Sequence, residues 1–239
     1  MPYTPAHAIL VAPIWYGSQK RLPLAPLIVG SLAPDLPYLI YLSPVTAPGH
    51  YPLGLLTHAV PHGLALLILW YLCLEKPILT LFSLPLPQHQ WSWSAGLKIL
   101  GSLWLGAVTH ALIDAASHEP GWFVQNLSIL RSILLNLPIY KWIQYGGGLL
   151  GLFLIAIWYW NCRVQESKRR LPSRLVAIAI ISLTGSSFGF IALANWIHQS
   201  QDVRSLFVNS ATGVMTGLVV GAALYSLYFY LHHFIREAR

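Results

Sequence analysis

The sequence predicts an all-α fold, a polytopic integral membrane helical bundle. Three observations carry the prediction. Hydrophobic residues make up 56% of the chain and charged residues only 9%, the mean hydropathy is +0.59, and long apolar runs recur between short polar or Pro/Gly-bearing stretches. So few charges on so much apolar sequence mark a chain whose solvent is lipid. Ten Trp and twelve Tyr suit aromatic belts at the two water interfaces. A net charge of +7 would suggest nucleic acid in a soluble protein. Here the basic residues fall in short loops, where orientation and anionic lipid account for them, so the expected partner is the bilayer and not nucleic acid. The length allows six full spans, or seven helices with a short N-terminal hairpin, in one domain over residues 1–239.

In chain order, residues 5–16 read as a short helix with Pro5 in its first turn and His7 just inside it. Twelve residues rise about 18 Å, short of a roughly 30 Å hydrocarbon core. The opening MPYTPAHAILVAPIWYG has no basic n-region or cleavage site and does not read as a signal peptide. Lys20-Arg21 is a basic turn. Leu22–Leu42 is long enough to span but is broken at Pro34-Asp35-Leu36-Pro37, because the residue before a proline avoids helical geometry. A carboxylate at such a break is costly in a membrane unless it is paired, liganded or wetted. Ser43–Gly54 reads as a loop containing His50. Leu55–Leu74 is a span whose first turns carry His58 and His62, four residues apart, around Pro61. Glu75–Ser94 reads as a loop with His89 and the anchors Trp91 and Trp93.

Ala95–Ala116 is the span on which the reading turns. His110, Asp114 and His118 are spaced by four, so on a helix each lies about 40° round from the last. They form one polar stripe on an otherwise apolar segment. Two imidazoles and a carboxylate suit zinc, manganese or iron. A single histidine there would be an ordinary helix end; three donors in register point to a site. Ser117–Lys141 reads as an amphipathic loop along the membrane surface. Spans near Ile143–Trp160, Leu175–Trp196 and Ala211–Phe234 follow, each with a GxxxG: Gly147/Gly151, Gly185/Gly189 and Gly213/Gly217/Gly221. Small residues at that spacing let membrane helices approach closely, so residues 143–239 read as scaffold and residues 1–142 as the part that bears the site. Cys73 and Cys162 lie at the ends of different spans and suggest no disulfide.

The densest basic loop, Arg163, Lys168, Arg169, Arg170 and Arg174, is expected in the cytoplasm, with Arg236 and Arg239 on the same side. Counting back places Asp35, His58, His62, His110, Asp114 and His118 in the outer half of their helices. His7 joins them only if residues 5–16 and the next span form a hairpin with Lys20-Arg21 at its base. His50, His89, His198, His232 and His233 sit in loops or at span ends, where exposed histidines are ordinary.

The segments MPYTPAH, GSLAPDLPY, THALIDAASHEPGWFV and LPIYKWIQYGGGLLG, reaching to about residue 160, resemble the bacterial membrane family called domain of unknown function 4184. That family is similar in layout to inner-membrane metal-dependent hydrolases and, more distantly, to zinc-dependent phospholipase C. The resemblance implies metal-ligand roles for His7, Asp35, His110 and Asp114, with His118 and His62 beside them. The hydrolase-like relatives carry a His-Arg-Gly…Thr-His type segment, whereas this chain has THAVPHG at Thr57–Gly63.

Together these readings predict a divalent metal site, zinc first, on the extracytoplasmic side of an inner-membrane protein with a cytoplasmic C-terminus. Such an ion lowers the pKa of a bound water, which suits hydrolysis of a phosphoester or lipid ester, with Asp114 and Glu119 the candidates for moving the proton. Two other readings stand beside it. Ionisable groups in spans also mark ion or proton pathways, although the inner halves of these spans offer little beyond Ser and Thr. A structural or partner-binding protein, whose polar groups only satisfy one another, is the third.

Overall fold

The structure, a computed structural model, describes residues 4–42, 48–89, 91–164, 171–199 and 203–237. It is helical almost throughout, and among the described residues six helical stretches are long and apolar enough to cross a membrane. A 3-10 segment, Thr4–Val11, leads into α1 (Ala12–Gly17), and after the turn at Gln19 and Lys20 comes α2 (Leu24–Leu32). The 3-10 segment packs on α2, α7 and α10, so the N-terminal hairpin forms and His7 is carried to the same end of the bundle as Asp35.

The prolines of Pro34-Asp35-Leu36-Pro37 break the first span as expected. A 3-10 turn over Ala33–Asp35 separates α2 from α3 (Leu36–Tyr41), because neither proline supplies an N–H for a continuous ladder. The second span runs over Pro52–Leu81, through α4 (Pro52–Gly54), α5 (Val60–Leu69) and α6 (Glu75–Leu81), with wide π turns at Leu55–Ala59 and Trp70–Leu74. Glu75–Leu81 is therefore helix and not the start of a loop. Its apolar Pro77, Ile78 and Leu81 supply the reason, since Pro77 is buried and the other two pack on the Ala177–Tyr225–Phe229 cluster of the last two helices.

The third span contains α7 (Trp93–Ser117), whose N-terminus is capped by Ser92 accepting from the Ala95 N–H at 3.1 Å. The surface segment that follows holds α8 (Trp122–Asn126), α9 (Ser128–Arg131) and a two-stranded hairpin of β1 (Ile133–Leu134) and β2 (Leu137–Pro138). The last spans are α10 (Ile139–Cys162), α11 (Leu171–Gln199) and α12 (Val203–Glu237). Lys168, Arg169, Arg170 and Arg239 of the expected basic ends lie outside the described residues.

Two close helix crossings organise the bundle. Where α2 meets α7, a Cβ at Gly30 would fall on the Leu103 carbonyl oxygen and one at Gly106 on the Leu27 carbonyl oxygen. Backbone thus touches backbone, and buried Leu27, Val29, Leu67 and Leu103 close the interior around the contact. Where α11 meets α12, Gly213, Gly217 and Gly221 face the backbone of Phe188, Thr184 and Ile181, the small-residue packing expected of GxxxG. Gly147/Gly151 divides instead: a Cβ at Gly151 would lie 3.0 Å from the Ala6 Cβ, whereas one at Gly147 would meet nothing within 4 Å.

Candidate metal centre

Four side chains converge where the broken first span meets α7. Asp35, His50, His110 and Asp114 each offer one atom within 4.8 Å of all the others, a group that could hold a metal ion. His50 Nε2 lies 3.2 Å from Asp35 Oδ1 and 3.5 Å from Asp114 Oδ2. His110 Nε2 lies 3.4 Å from the same Asp35 oxygen and 3.3 Å from the same Asp114 oxygen. Two nitrogens and two oxygens thus alternate around a common point.

Each donor has a local reason for its position. Asp35 ends the 3-10 turn forced by the prolines and is buried. Its other oxygen, Oδ2, accepts a 2.6 Å hydrogen bond from the Thr4 hydroxyl, which leaves Oδ1 directed at the cluster. His110 is fully buried on α7, and the close α2–α7 crossing brings its Nδ1 to 2.7 Å from the Ser31 carbonyl. A carbonyl can only accept, so Nδ1 carries the proton and Nε2 keeps its lone pair for the centre. Asp114 follows one helical turn later on the same face.

His50 arrives from the loop. It ends a 3-10 turn over Pro48–His50, and two glycines seat that turn. A Cβ at Gly49 would lie 3.3 Å from the Pro34 Cα, and one at Gly54 would strike the Pro48 carbonyl. The expectation that His50 is an ordinary exposed histidine is therefore corrected: its side chain is 21% exposed and sits between both carboxylates. The Tyr38 ring stacks 6.0 Å from it. The sequence offered one faint sign, a Pro-Gly pair directly before the histidine, which turns the chain sharply.

Two more histidines approach the opposite oxygen of Asp114. His7 Nε2 and His118 Nδ1 each lie 3.7 Å from Asp114 Oδ1, and the His7 ring stacks on His110 at 4.0 Å. His118 does not continue the helical stripe: α7 ends at Ser117, and His118 is the extended cap residue. It still turns back to Asp114, held by Ser117 Oγ at 3.0 Å and by Gln144 at 2.9 Å. His62 is not in the group; it lies 6.4 Å, ring to ring, from His58. Glu119 is exposed, and its carboxylate is not part of the cluster. His89 pairs at 2.6 Å with Glu75 in the half of the second span farther from the cluster, while the His198 side chain lies outside the described residues.

The electrostatics are those of a site that wants positive charge. Asp35 Oδ1, Asp114 Oδ1, His110 Nε2 and His7 Nδ1 are buried without a hydrogen-bond partner. Burial, reinforced by the neighbouring His110, pushes the His7 imidazole down to about 3, so it is neutral at pH 7, the form that binds metal. Burial also works against a charge on His50, but the carboxylates of Asp114 and Asp35 prevail and push it up to about 9. A proton on His50 is thus drawn to the place between two carboxylates that a cation would also occupy.

The family model described as Domain of unknown function (DUF4184) matches residues 1–227. The chain belongs to this family. The match runs beyond residue 160, where the motif resemblance stops, and covers most of α12. All six residues around the centre, from His7 to His118, lie inside it. No curated protein and no solved structure matches the chain.

Proposed function

We propose that this DUF4184 protein is a membrane-embedded metal-dependent hydrolase, acting on a phosphoester or lipid ester through a divalent ion, zinc first, at the His/Asp centre. The observation that carries the reading is the set of four nitrogen–oxygen separations, 3.2, 3.5, 3.4 and 3.3 Å. Neighbouring ligands held about 2.0–2.2 Å from one zinc-like ion are spaced by roughly 2.8–3.6 Å. Two carboxylates and a divalent cation also sum to zero charge, which removes the cost of burying either carboxylate alone. Second partners support the same reading, since the Ser31 carbonyl fixes the His110 tautomer and Thr4 orients Asp35. If the polar groups existed only to satisfy one another, Asp35 Oδ1 and His110 Nε2 would not be buried without a hydrogen bond.

A bound divalent ion would supply hydroxide near neutral pH. The residues around it divide the remaining work. Asp35, His50, His110 and Asp114 Oδ2 would hold the ion, and the water would join them as a further ligand. Asp114 Oδ1 is itself buried, with His7 and His118 each at 3.7 Å, and His118, at 25% exposed, is the most exposed of the three residues. This oxygen takes the proton of the attacking water. The new bond joins the water oxygen to phosphorus or the acyl carbon, the bond to the alcohol oxygen breaks, and the proton returns to that leaving oxygen. Basic Arg163, Arg174 and Arg236 flank the opposite end of the spans, so the positive-inside rule favours an extracytoplasmic centre and a cytoplasmic C-terminus in the inner membrane.

The test is elemental analysis of the purified full chain, followed by hydrolysis of phospholipid and of a soluble phosphodiester. Wild type should carry zinc or a related divalent ion, and Asp35→Asn and Asp114→Asn should each lose most of it together with activity. Metal content unchanged in both variants would sink the proposal.

A further inference from the structure

The end of the bundle away from the His/Asp centre carries a pocket of about 210 Å³. It lies between the Lys20-Arg21 turn, Tyr71 of the second span, the segment before α7 and the first turns of α7. Its level in the membrane follows from where the spans begin. Leu22 and Pro23 directly precede the span that opens at Leu24, and Ala95, Lys98 and Ile99 lie in the first turns of the span that opens at Trp93. Trp91 and Trp93 are exposed beside them, the aromatic mark of a water–lipid interface. At a rise of 1.5 Å per residue, Lys98 is about 18 Å along α7 from His110.

Charge defines this pocket. Lys20, Arg21 and Lys98 line it and are exposed. Among the described residues none of the three has a carboxylate within ion-pair distance. Glu75, the carboxylate on this part of the second span, is already used: Oε1 accepts from Trp70 Nε1 at 3.0 Å and Oε2 from His89 Nε2 at 2.6 Å. The same pair draws the segment before α7 back over Tyr71, where His89 and Trp91 pack edge-on at 4.8 and 5.5 Å. Lys20 rests over the Trp15 and Tyr16 rings at 5.1 and 5.6 Å, contacts that position the ammonium without cancelling its charge. Gln88 adds an amide, and the remaining lining, Leu22, Pro23, Ala95 and Ile99, is apolar.

From this charge balance we infer that the pocket binds the phosphodiester head group of an anionic phospholipid, of the phosphatidylglycerol kind. Basic pockets between spans at a membrane surface suit such head groups. Every phospholipid of the leaflet presents a phosphate at this level, so selection comes from the difference between lipids. The phosphate of a zwitterionic lipid brings its own ammonium into a cluster of three cations. The phosphate of phosphatidylglycerol brings only negative charge. The head group alone enters the pocket, and no acyl chain has to leave the bilayer. Nothing in this inference rests on the hydrolase reading, because the pocket and the His/Asp centre stand at opposite ends of α7.

The experiment is native mass spectrometry of the full chain in detergent, titrated with phosphatidylglycerol, with phosphatidylcholine of the same acyl chains, and with soluble glycerol 3-phosphate. Wild type should take its first phosphatidylglycerol about tenfold or more tighter than phosphatidylcholine, given three basic side chains at the site. Arg21→Gln and Lys98→Gln should each lower the affinity for phosphatidylglycerol about fivefold, the contribution of one basic side chain near anionic lipid. Neither should change the affinity for phosphatidylcholine. Both side chains are exposed, so the variants should keep wild-type helical content by circular dichroism. Arg163→Gln is the control: the residue stands at the same end of the bundle, 3.5 Å over the Trp160 ring, and does not line the pocket. It should bind phosphatidylglycerol like wild type. The unaltered protein supplies a second reading, since the preference for phosphatidylglycerol should shrink as salt screens the exposed charges. Equal affinity for the two lipids, or a preference indifferent to salt, overturns the inference. An equal loss in Arg163→Gln does so too, because the attraction would then be diffuse surface charge. Glycerol 3-phosphate that displaces phosphatidylglycerol at equal concentration would make the ligand a soluble phosphate, and the lipid assignment would fall.

Discussion

Thr4→Val tests the centre without touching a donor atom. The Thr4 hydroxyl donates at 2.6 Å to Asp35 Oδ2, within the range of a charge-assisted O–H···O⁻ bond. Valine keeps the shape and deletes the donor. A hydrogen bond to a buried charged group contributes about 1.5–3 kcal/mol, and at about 1.4 kcal/mol per tenfold that is a loss of roughly 10- to 100-fold. The figure agrees with the usual cost of removing an outer-shell partner of a metal ligand, about 10–100-fold in affinity. The assay is zinc competition against a chelator of known affinity, on the full chain in nanodiscs. Thr4→Val should weaken zinc by that factor, and Thr4→Ser, which restores the hydroxyl, should recover most of it. Equal affinity in wild type and Thr4→Val would mean that the Thr4–Asp35 contact does not orient a ligand, and the geometric case for Asp35 would fall with it.

Four further outcomes follow from the same packing. His50→Ala should lose most of the bound metal and His62→Ala none, as read by elemental analysis; the reverse result would return the loop histidine to an ordinary role. Gly151→Leu should push the N-terminal segment off α10, where Ala6 now sits 3.0 Å from the glycine's Cβ position, and weaken metal binding about tenfold by displacing Thr4. Gly217→Leu drives a side chain into the Thr184 carbonyl and should cost about 1–3 kcal/mol by overpacking, seen as a lower unfolding midpoint with metal content per folded molecule unchanged. With exposed Cys73 replaced, an impermeant thiol reagent should label Cys162 only after cells are opened; labelling of intact cells would place the His/Asp centre inside.

Much of the bundle was legible because membrane spans advertise themselves by composition and length, and because Pro34 and Pro37 announce a break in any helix. The pairing of His110 with Asp114 was legible for a similar reason, since a spacing of four fixes a shared helix face without knowledge of the rest of the fold. His50 was not, because a loop residue has no periodicity to betray its direction. Its place depends on Gly49 lying against Pro34 and Gly54 against Pro48, contacts between segments that no local pattern encodes. His118 shows the opposite error. Its spacing continued the stripe, but the helix stopped at Ser117, and the residue reaches Asp114 by a turn of the backbone. His62 carried a helical spacing to His58 as good as that between His110 and Asp114, yet its span turns that pair away from the centre.

The short N-terminal segment ties these observations together. The 3-10 segment of 8 residues and α1 of 6 residues rise together only about 25 Å, short of a bilayer's hydrocarbon core, so the hairpin leaves Thr4 and His7 partway down the bundle. There they meet Asp35 and Asp114 as side chains from different spans: Thr4 on one carboxylate at 2.6 Å, His7 beside the other at 3.7 Å. A longer first helix would carry both past the centre, and a shorter one would leave Asp35 Oδ2 without its donor. Metal affinity should therefore fall both when that segment is shifted bodily, as by Gly151→Leu, and when only the Thr4 hydroxyl is removed.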